Sequence, residues 1–262
     1  MVPTVSIILM AVNALLGIAV PVCLSWWLVR KHHARLSTIL IGAVTFIVFA
    51  LILESIMHQM VLKGPAGADI LGNTLLYAIY GGLAAGIFEE TGRFISMKFL
   101  MRDEPSGPVP GVAYGIGHGG AEMMIIFGLT MVSNLVIAAL INTGQTDMLF
   151  AKVPADTASQ VQAQLDQLST TSTGTWLIGL WERFSALILQ VGLSILVWAA
   201  VRKGGKWMWL FPLAILLHAA VDAGVVLLQK SIGMVPLEFI ITAEALAIAA
   251  LAYLVARKIQ SA

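Results

Sequence analysis

The stretch Gly81–Arg93 (GGLAAGIFEETGR) decides what kind of chain this is. It begins as an apolar run rich in small residues and ends in two glutamates and an arginine. Gly81, Ala85, Glu89 and Arg93 recur at four-residue spacing, which places them on one face of a helix. A charged group inside a membrane helix costs about 2.5–3.5 kcal/mol on insertion scales, so three of them in an apolar helix indicate a functional site.

The composition identifies an integral membrane protein. Charged residues make up 11% of the 262 positions, against about 25% in an average soluble domain. Several apolar runs exceed the roughly 20 residues that cross a bilayer. The net charge of +1 and the lack of a Lys/Arg-rich run argue against nucleic acid as a partner. The single cysteine, Cys23, excludes an internal disulfide and a Cys-x-x-Cys motif.

Hydropathy predicts an all-α polytopic bundle with about seven spans, at residues 4–29, 36–60, 71–98, 109–141, 175–201, 206–229 and 233–256. The first is expected to be a retained anchor, because it is too long for the apolar region of a signal peptide. The third is long for a simple span, so we expect it to tilt, to bend near Gly86 or Gly92, or to end as a short helix near Leu100. We treat residues 1–262 as a single integral-membrane domain.

The distribution of Lys and Arg predicts an outside N-terminus and a cytoplasmic C-terminus. In that orientation ten basic residues lie on the cytoplasmic side and three outside. The ten are Arg30, Lys31, Arg35, Lys98, Arg102, Arg202, Lys203, Lys206, Arg257 and Lys258, and the three are Lys63, Lys152 and Lys230. The outer side then carries the only sizeable hydrophilic loop, residues 142–174. Residues 158–168 of this loop are expected to form an amphipathic helix at the membrane interface, a lid, or a plain linker.

Eight carboxylates and three histidines fall within the predicted spans. They are Glu54, His58, Glu89, Glu90, His118, Glu122, Glu182, His218, Asp222, Glu238 and Glu244. Structural contacts between helices explain one or two such groups, but not this many. The set indicates either a chemical site or an ion path.

Three charged pairs at four-residue spacing lie at similar depth in the third, fourth and sixth segments. They are Glu89 with Arg93, His118 with Glu122, and His218 with Asp222. Such spacing puts both members on one helix face, and a carboxylate beside a histidine can hold its tautomer. Glycine stripes on two of these segments favour close packing of the third segment on the fourth: Gly82 and Gly86, and Gly111, Gly115 and Gly119. The pairs therefore predict one shared polar site in the inner part of the bilayer.

The three motifs that carry this chemistry occur in order on separate segments: Glu89-Glu90-Thr-Gly-Arg93, Tyr114-x-x-x-His118 and His218-x-x-x-Asp222. They resemble the motifs of the CAAX-protease and bacteriocin-processing superfamily of glutamic intramembrane proteases, and the first has the shorter spacing of the PrsW proteases. The chain is most similar to the YhfC family, in its length and in its Glu182-Arg183 pair. It departs from the commonest superfamily pattern in two ways: two residues, rather than three, separate the second glutamate from the arginine, and Asp222 stands where Asn is commoner.

The resemblance implies an intramembrane endopeptidase in a bacterial plasma membrane, acting on a membrane protein or a lipid-associated peptide. It assigns Glu89 as the general base, with His118 helping to hold and polarise the water. His218 and Asp222 would line the site and stabilise the oxyanion. The residues expected to support them are Glu90, Arg93, Glu122, Glu182 and Arg183. Adjacent glutamates point about 100° apart on a helix, so only one of Glu89 and Glu90 can face the water.

The sequence leaves open which of Glu89 and Glu90 activates the water, and two further questions stay open. The first is metal: the resemblance favours a metal-free site, with zinc held by Glu89, His118 and His218 as the alternative. The second is the class of protein, since a proton-coupled transporter using the buried Glu and His residues as a relay is a rival to the protease, and a catalytically silent scaffold or immunity factor is a third option. The chain lacks the His-Glu-x-x-His motif of zinc site-2 proteases. The sequence does not indicate an oligomeric state.

Overall fold

The computed structural model describes residues 1–150 and 157–260, and these residues form helices joined by short turns, without strands. The described helices, in chain order, are α1 (Thr4–Lys31), α2 (Leu36–Leu62), α3 (Gly67–Gly72), α4 (Thr74–Phe99), α5 (Val109–Thr143), α6 (Asp147–Phe150), α7 (Ala158–Thr170), α8 (Thr173–Lys203), α9 (Leu210–Leu228) and α10 (Met234–Gln260). The predicted all-α polytopic bundle is therefore confirmed.

Six of the described helices are long and apolar enough to cross a membrane: α1, α2, α5, α8, α9 with its leading turn, and α10. They coincide with six of the seven predicted segments, and the chain is a multi-pass integral membrane protein. The remaining segment, 71–98, corresponds to α3 and α4. Helix α4 runs without a break from Thr74 to Phe99, so it ends next to Leu100, where one of the three alternatives placed its end. Whether it is a seventh span stays a prediction, as does the orientation.

Two of the membrane helices contain π-helical segments. In α2 the segment is Ile47–Glu54, and in α5 it is Met123–Gly128. Such wider turns are uncommon and are frequent at functional sites. Here one ends at Glu54, and the other begins directly after Glu122. The sequence pattern does not predict either π-helical segment.

The chain forms two compact units, Met1–Val20 with Met123–Arg183, and Pro21–Glu122 with Phe184–Ala262. The core of the first unit contains Met10, Phe127 and Trp176. Within it, the Asn13 side-chain amide donates to the Trp176 carbonyl oxygen at 2.7 Å. The prediction of a single domain over the whole chain stays a prediction.

The predicted outer loop contributes a helix to the first unit. Helix α7 forms over Ala158–Thr170, and its Leu165 and Leu168 are buried. Leu168 packs in the core of that unit. Of the three options for this segment, the amphipathic helix is the one observed. Whether it rests at a membrane interface stays a prediction, and residues 151–156 of the loop lie outside the described part.

In the second unit, the glycines of the two predicted stripes allow close helix approaches, but not between the partners predicted. A β-carbon at Gly86 would lie 2.6 Å from the Ile215 carbonyl oxygen on α9, and Gly82 abuts Ala219 of the same helix. The glycine stripe on α5 instead faces α8. Gly111 lies against Trp198, Gly115 against Ser194 and Gly119 against Gln190. The prediction that the two stripes join α4 to α5 was therefore wrong. Small residues indicate close approach but do not specify the partner.

Gly82→Ala is expected to destabilise the protein by about 1–3 kcal/mol, because its methyl group would collide with the α9 backbone. The neighbouring Gly81 provides a matched control, since a β-carbon there would meet nothing within 4 Å. Thermal unfolding in detergent compares the two variants. Equal midpoints for Gly82→Ala and Gly81→Ala would contradict the close packing of α4 on α9.

Candidate active site

One turn of α4, from Glu89 to Arg93, forms a buried ion-pair cluster. The Arg93 guanidinium donates to Glu90 Oε1, three residues earlier, and lies 3.3 Å from Glu89 Oε2, four residues earlier. Arg93 and Glu90 are fully buried, and the Glu89 side chain is 9% exposed. The helical spacing predicted the contact between Glu89 and Arg93. The fixed cation offsets much of the cost of burying two adjacent carboxylates.

His118 of α5 meets the first glutamate. Its Nε2 lies 2.8 Å from Glu89 Oε2, within hydrogen-bonding distance. Aromatic rings on both sides fix the imidazole: Tyr114 stacks at 6.1 Å between ring centroids, and Phe46 meets it edge-on at 5.3 Å. The Tyr114-x-x-x-His118 spacing therefore has a physical cause, because one helical turn brings the tyrosine ring over the histidine ring.

His218 of α9 meets the second glutamate. Its Nδ1 lies 2.8 Å from Glu90 Oε1, and its Nε2 lies 3.6 Å from Asp222 Oδ2. The predicted pairing of His218 with Asp222 is thus present as an ion-pair contact that is too long for a hydrogen bond. Asp222 is the accessible member of the cluster, with 38% of its side chain exposed.

Gln190 of α8 is the residue that the sequence analysis missed. Its amide oxygen accepts from the Arg93 guanidinium, and its Nε2 donates to Glu89 Oε2 at 3.2 Å and to Glu122 Oε2 at 2.7 Å. The search for charged groups passed over this neutral side chain. The sequence does contain a clue to its role, because Gln190 is the one Asn or Gln side chain in the predicted segment 175–201.

The structure places the remaining predicted residues differently. Glu122 contacts Gln190, while the described bond of the His118 ring goes to Glu89 rather than to Glu122, its expected partner. Glu182 and Arg183 belong to the first unit, where they form an ion pair with each other. The five residues that converge in the second unit are Glu89, Glu90, Arg93, His118 and His218, with Asp222 beside them.

The two glutamates have different surroundings. Glu90 Oε1 faces both Arg93 and His218, and the whole residue is buried. Glu89 receives its described contacts from Arg93, His118 and Gln190 on one oxygen, Oε2. It also keeps a small exposed fraction of 7%. The geometry therefore separates an enclosed glutamate from one with partial access.

Comparison with known proteins identifies the family of this chain. The family model described as YhfC intramembrane metalloprotease matches residues 16–246. The chain belongs to the YhfC family. The uncharacterized membrane protein YhfC of Bacillus subtilis (strain 168) is 37% identical to it over 233 residues, which is 88% of this chain and 88% of that protein. No solved structure gives a significant match.

Membership of the YhfC family confirms the family predicted from the three motifs, and the bacterial relative agrees with a bacterial plasma membrane. The wider relation to CAAX and PrsW proteases stays a prediction. The family description supports a protease and names a metal, whereas the sequence analysis favoured a metal-free site. The donor types and distances in the cluster can be compared with those of a metal site.

The donor types at the cluster suit zinc, which binds histidine and carboxylate, but their arrangement does not. A zinc ion shared by two ligand atoms at about 2.0–2.1 Å separates them by roughly 3.3 Å in a tetrahedral site. Glu89 Oε2 and His118 Nε2 are 2.8 Å apart, and the same oxygen also faces Arg93 and Gln190. Within residues 1–150 and 157–260, no group of three His, Cys, Asp or Glu side chains is placed to hold a metal. The arrangement described here therefore does not fit a zinc ion.

Proposed function

We propose that this YhfC-family chain is an intramembrane endopeptidase of the glutamic type, hydrolysing a peptide bond in a membrane protein or lipid-associated peptide. The observation that carries the proposal is the 2.8 Å contact between Glu89 and His118 at the meeting point of α4 and α5. This contact combines a carboxylate with a side chain that orients it, which is the arrangement a general base needs. It lies beside a second histidine, His218, that can act as a hydrogen-bond donor.

Glu89 is assigned as the base because it alone of the two glutamates keeps an exposed fraction. Its Oε2 is held by His118, Arg93 and Gln190, which leaves Oε1 to accept a proton. A water molecule attacks the scissile carbonyl carbon while Glu89 takes one of its protons. Glu89 then returns that proton to the leaving nitrogen as the C–N bond breaks, which yields a carboxylic acid and an amine.

His218, as the imidazolium with a proton on both ring nitrogens, is assigned to the developing oxyanion through its Nε2–H. The Nδ1 of the same ring is held by Glu90, which fixes the ring orientation. Asp222 lies 3.6 Å from Nε2, far enough for a substrate oxygen to compete for that N–H. Arg93 and Gln190 are buried beneath these groups, so we assign them as positioning residues that do not touch the substrate.

The function is tested by mapping new protein N-termini. Purified protein is reconstituted with a membrane-protein fraction from a bacterial host, and N-terminal peptides are compared with a sample lacking the protein. New N-termini within or beside transmembrane segments are the expected result. Transport of protons with a solute, without new N-termini, would instead support the proton-coupled transporter.

Metal removal gives a separate prediction for the same preparation. Because the Glu89, His118 and His218 arrangement does not fit zinc, cleavage is expected to stay within about twofold of its starting rate after chelation. The purified protein should also hold much less than one zinc per chain by elemental analysis. Loss of cleavage in chelator, restored by zinc, would contradict the metal-free mechanism and support the family description as a metalloprotease.

A further inference from the structure

An apolar groove, which we call the α8–α10 groove, lies on the second unit between α5, α8 and α10. Its volume is about 440 Å³. The side chains that line it are apolar except for Tyr253 and Arg257, and no member of the candidate active site is among them. Its walls include Val112, Ile116, Val191, Ile195, Ala249 and Ala256.

Helices α8 and α10, which form two walls of the groove, run in the same direction. Ser185 Oγ lies 2.9 Å from Thr242 Oγ1, and a β-carbon on Gly192 would lie 3.4 Å from the Ala249 backbone nitrogen. Both contacts join residues 57 positions apart. The same offset places Arg257 level with the last turn of α8.

Helix α5, which forms the third wall, runs in the opposite direction. Gly119 packs on Gln190, whereas the earlier residue Gly111 packs on the later residue Trp198. The start of α5 therefore lies at the same end of the groove as Arg257. This end has the guanidinium, and the walls that lead away from it are apolar.

The dimensions of the groove suit a single extended chain better than a helix. From Leu187 to the level of Arg257 it follows about 13 residues of α8, or roughly 20 Å, which exceeds the about 15 Å of hydrocarbon in one leaflet of a bilayer. A helix with a diameter of about 10 Å would occupy roughly 1,500 Å³ over that length. The groove offers about 440 Å³, so its shape favours an acyl chain of a lipid.

Arg257 gives the groove a cationic end. It is exposed and lies in the last turn of α10. The ion pairs found within residues 1–150 and 157–260 do not include it. Arg202, at the same end, instead donates to the carbonyl oxygens of Arg102 and Glu104. A guanidinium at the end of an acyl-chain groove matches the phosphate of a lipid head group.

We propose that the α8–α10 groove binds an anionic phospholipid, with one acyl chain along α8 and α10 and the phosphate at Arg257. The groove adjoins the contact between α5 and α8, where a β-carbon on Gly115 would lie 2.7 Å from Val191 Cα. These two helices carry His118 and Gln190 to the candidate active site. Bound lipid thus stabilises the helix pair that holds them, because it binds the folded protein.

The site is tested by photolabelling the full-length protein in phosphatidylcholine vesicles. One set contains a minor fraction of phosphatidylglycerol with a diazirine on its acyl chain, and the other contains phosphatidylcholine with the same labelled chain. The anionic probe should label groove residues such as Ile188 and Val191 about fivefold more than the neutral probe. Leu246 and Leu254, exposed on α10 outside the groove, should be labelled equally by both probes.

Two substitutions, each with an adjacent control, locate the head group and the chain. Arg257→Gln should abolish the preference for the anionic probe in the groove, while Lys258→Gln, which removes the same charge beside the groove, should keep most of it. Ala249→Phe fills the groove and should reduce labelling there by both probes. Ala250→Phe, on an exposed position outside the groove, should leave the labelling unchanged.

Thermal unfolding in detergent gives a second readout and checks that each variant is folded. Phosphatidylglycerol should raise the midpoint of the wild type but not of Arg257→Gln, and neither phosphatidylcholine nor inorganic phosphate should raise it. Equal labelling of the groove by the two probes would overturn the proposal. Equal losses in Arg257→Gln and Lys258→Gln, or a midpoint raised as much by inorganic phosphate, would also overturn it. These measurements require no peptide cleavage, so they are independent of the proposed function.

Discussion

Glu89→Gln is expected to lower kcat for peptide cleavage by about 10²–10⁴-fold, because a neutral amide cannot accept a proton from the attacking water. Its shape is nearly that of glutamate, so the amide oxygen can still accept from His118 and Arg93. The unfolding midpoint should therefore stay close to that of the wild type. Steady-state cleavage of a peptide with a mapped cleavage site measures kcat, and single-turnover cleavage measures the chemical step apart from product release.

Glu90→Gln is the matched control, since the two residues are adjacent and chemically identical. Glu90 is fully buried and faces Arg93 and His218. Its replacement is expected to cost stability, about 1–3 kcal/mol, with a smaller loss of kcat than at Glu89. A larger loss of kcat in Glu90→Gln than in Glu89→Gln would reverse the assignment of the base.

Arg93→Met is expected to cause the largest loss of stability, about 3–5 kcal/mol, because it leaves two buried carboxylates without their cation. Arg93 is fully buried and contacts Glu89, Glu90 and Gln190. The free energy of unfolding in mixed micelles measures the effect. Lys98→Met, on an exposed position five residues later in α4, should change stability by no more than about 0.5 kcal/mol.

A double variant tests whether unpaired charge causes the loss of stability in Arg93→Met. If Arg93→Met destabilises by exposing unpaired negative charge, adding Glu90→Gln should restore part of the lost stability, although each change alone is destabilising. Additive losses in the double variant would contradict the electrostatic account. They would indicate that Arg93 stabilises the unit through packing alone.

The cost of burying charge made much of the site predictable from the sequence. Carboxylates and histidines are expensive in a membrane, so their spacing predicted that Glu89, Arg93, His118 and His218 would meet. Helical periodicity predicted the contact of Glu89 with Arg93, and the three motifs predicted the family. The sequence alone could not assign different roles to Glu89 and Glu90. The proposed assignment depends on how deeply each side chain is buried, and the surrounding helices determine that burial.

Other features could not be read from one sequence. Gln190 carries no charge, so no electrostatic cost marked it as part of the cluster. Gly111 and Gly115 indicated close packing but gave no information on which helix would pack there, and α8 is the partner observed. The described hydrogen bond of His118 goes to Glu89 on another helix rather than to Glu122, the partner expected on its own helix. The spacing of residues along the sequence predicts contacts within one helix but not contacts between helices.

The most direct test of the central claim, that Glu89 activates water as a general base, is peptide cleavage by the purified protein in H₂¹⁸O. We expect one ¹⁸O atom in each new C-terminal carboxylate, no ¹⁸O in the Glu89 side chain after many turnovers, and loss of labelled product with Glu89→Gln. Incorporation of ¹⁸O into Glu89 would indicate that this glutamate attacks the peptide as a nucleophile. That result, or cleavage by Glu89→Gln at the wild-type rate, would contradict the account.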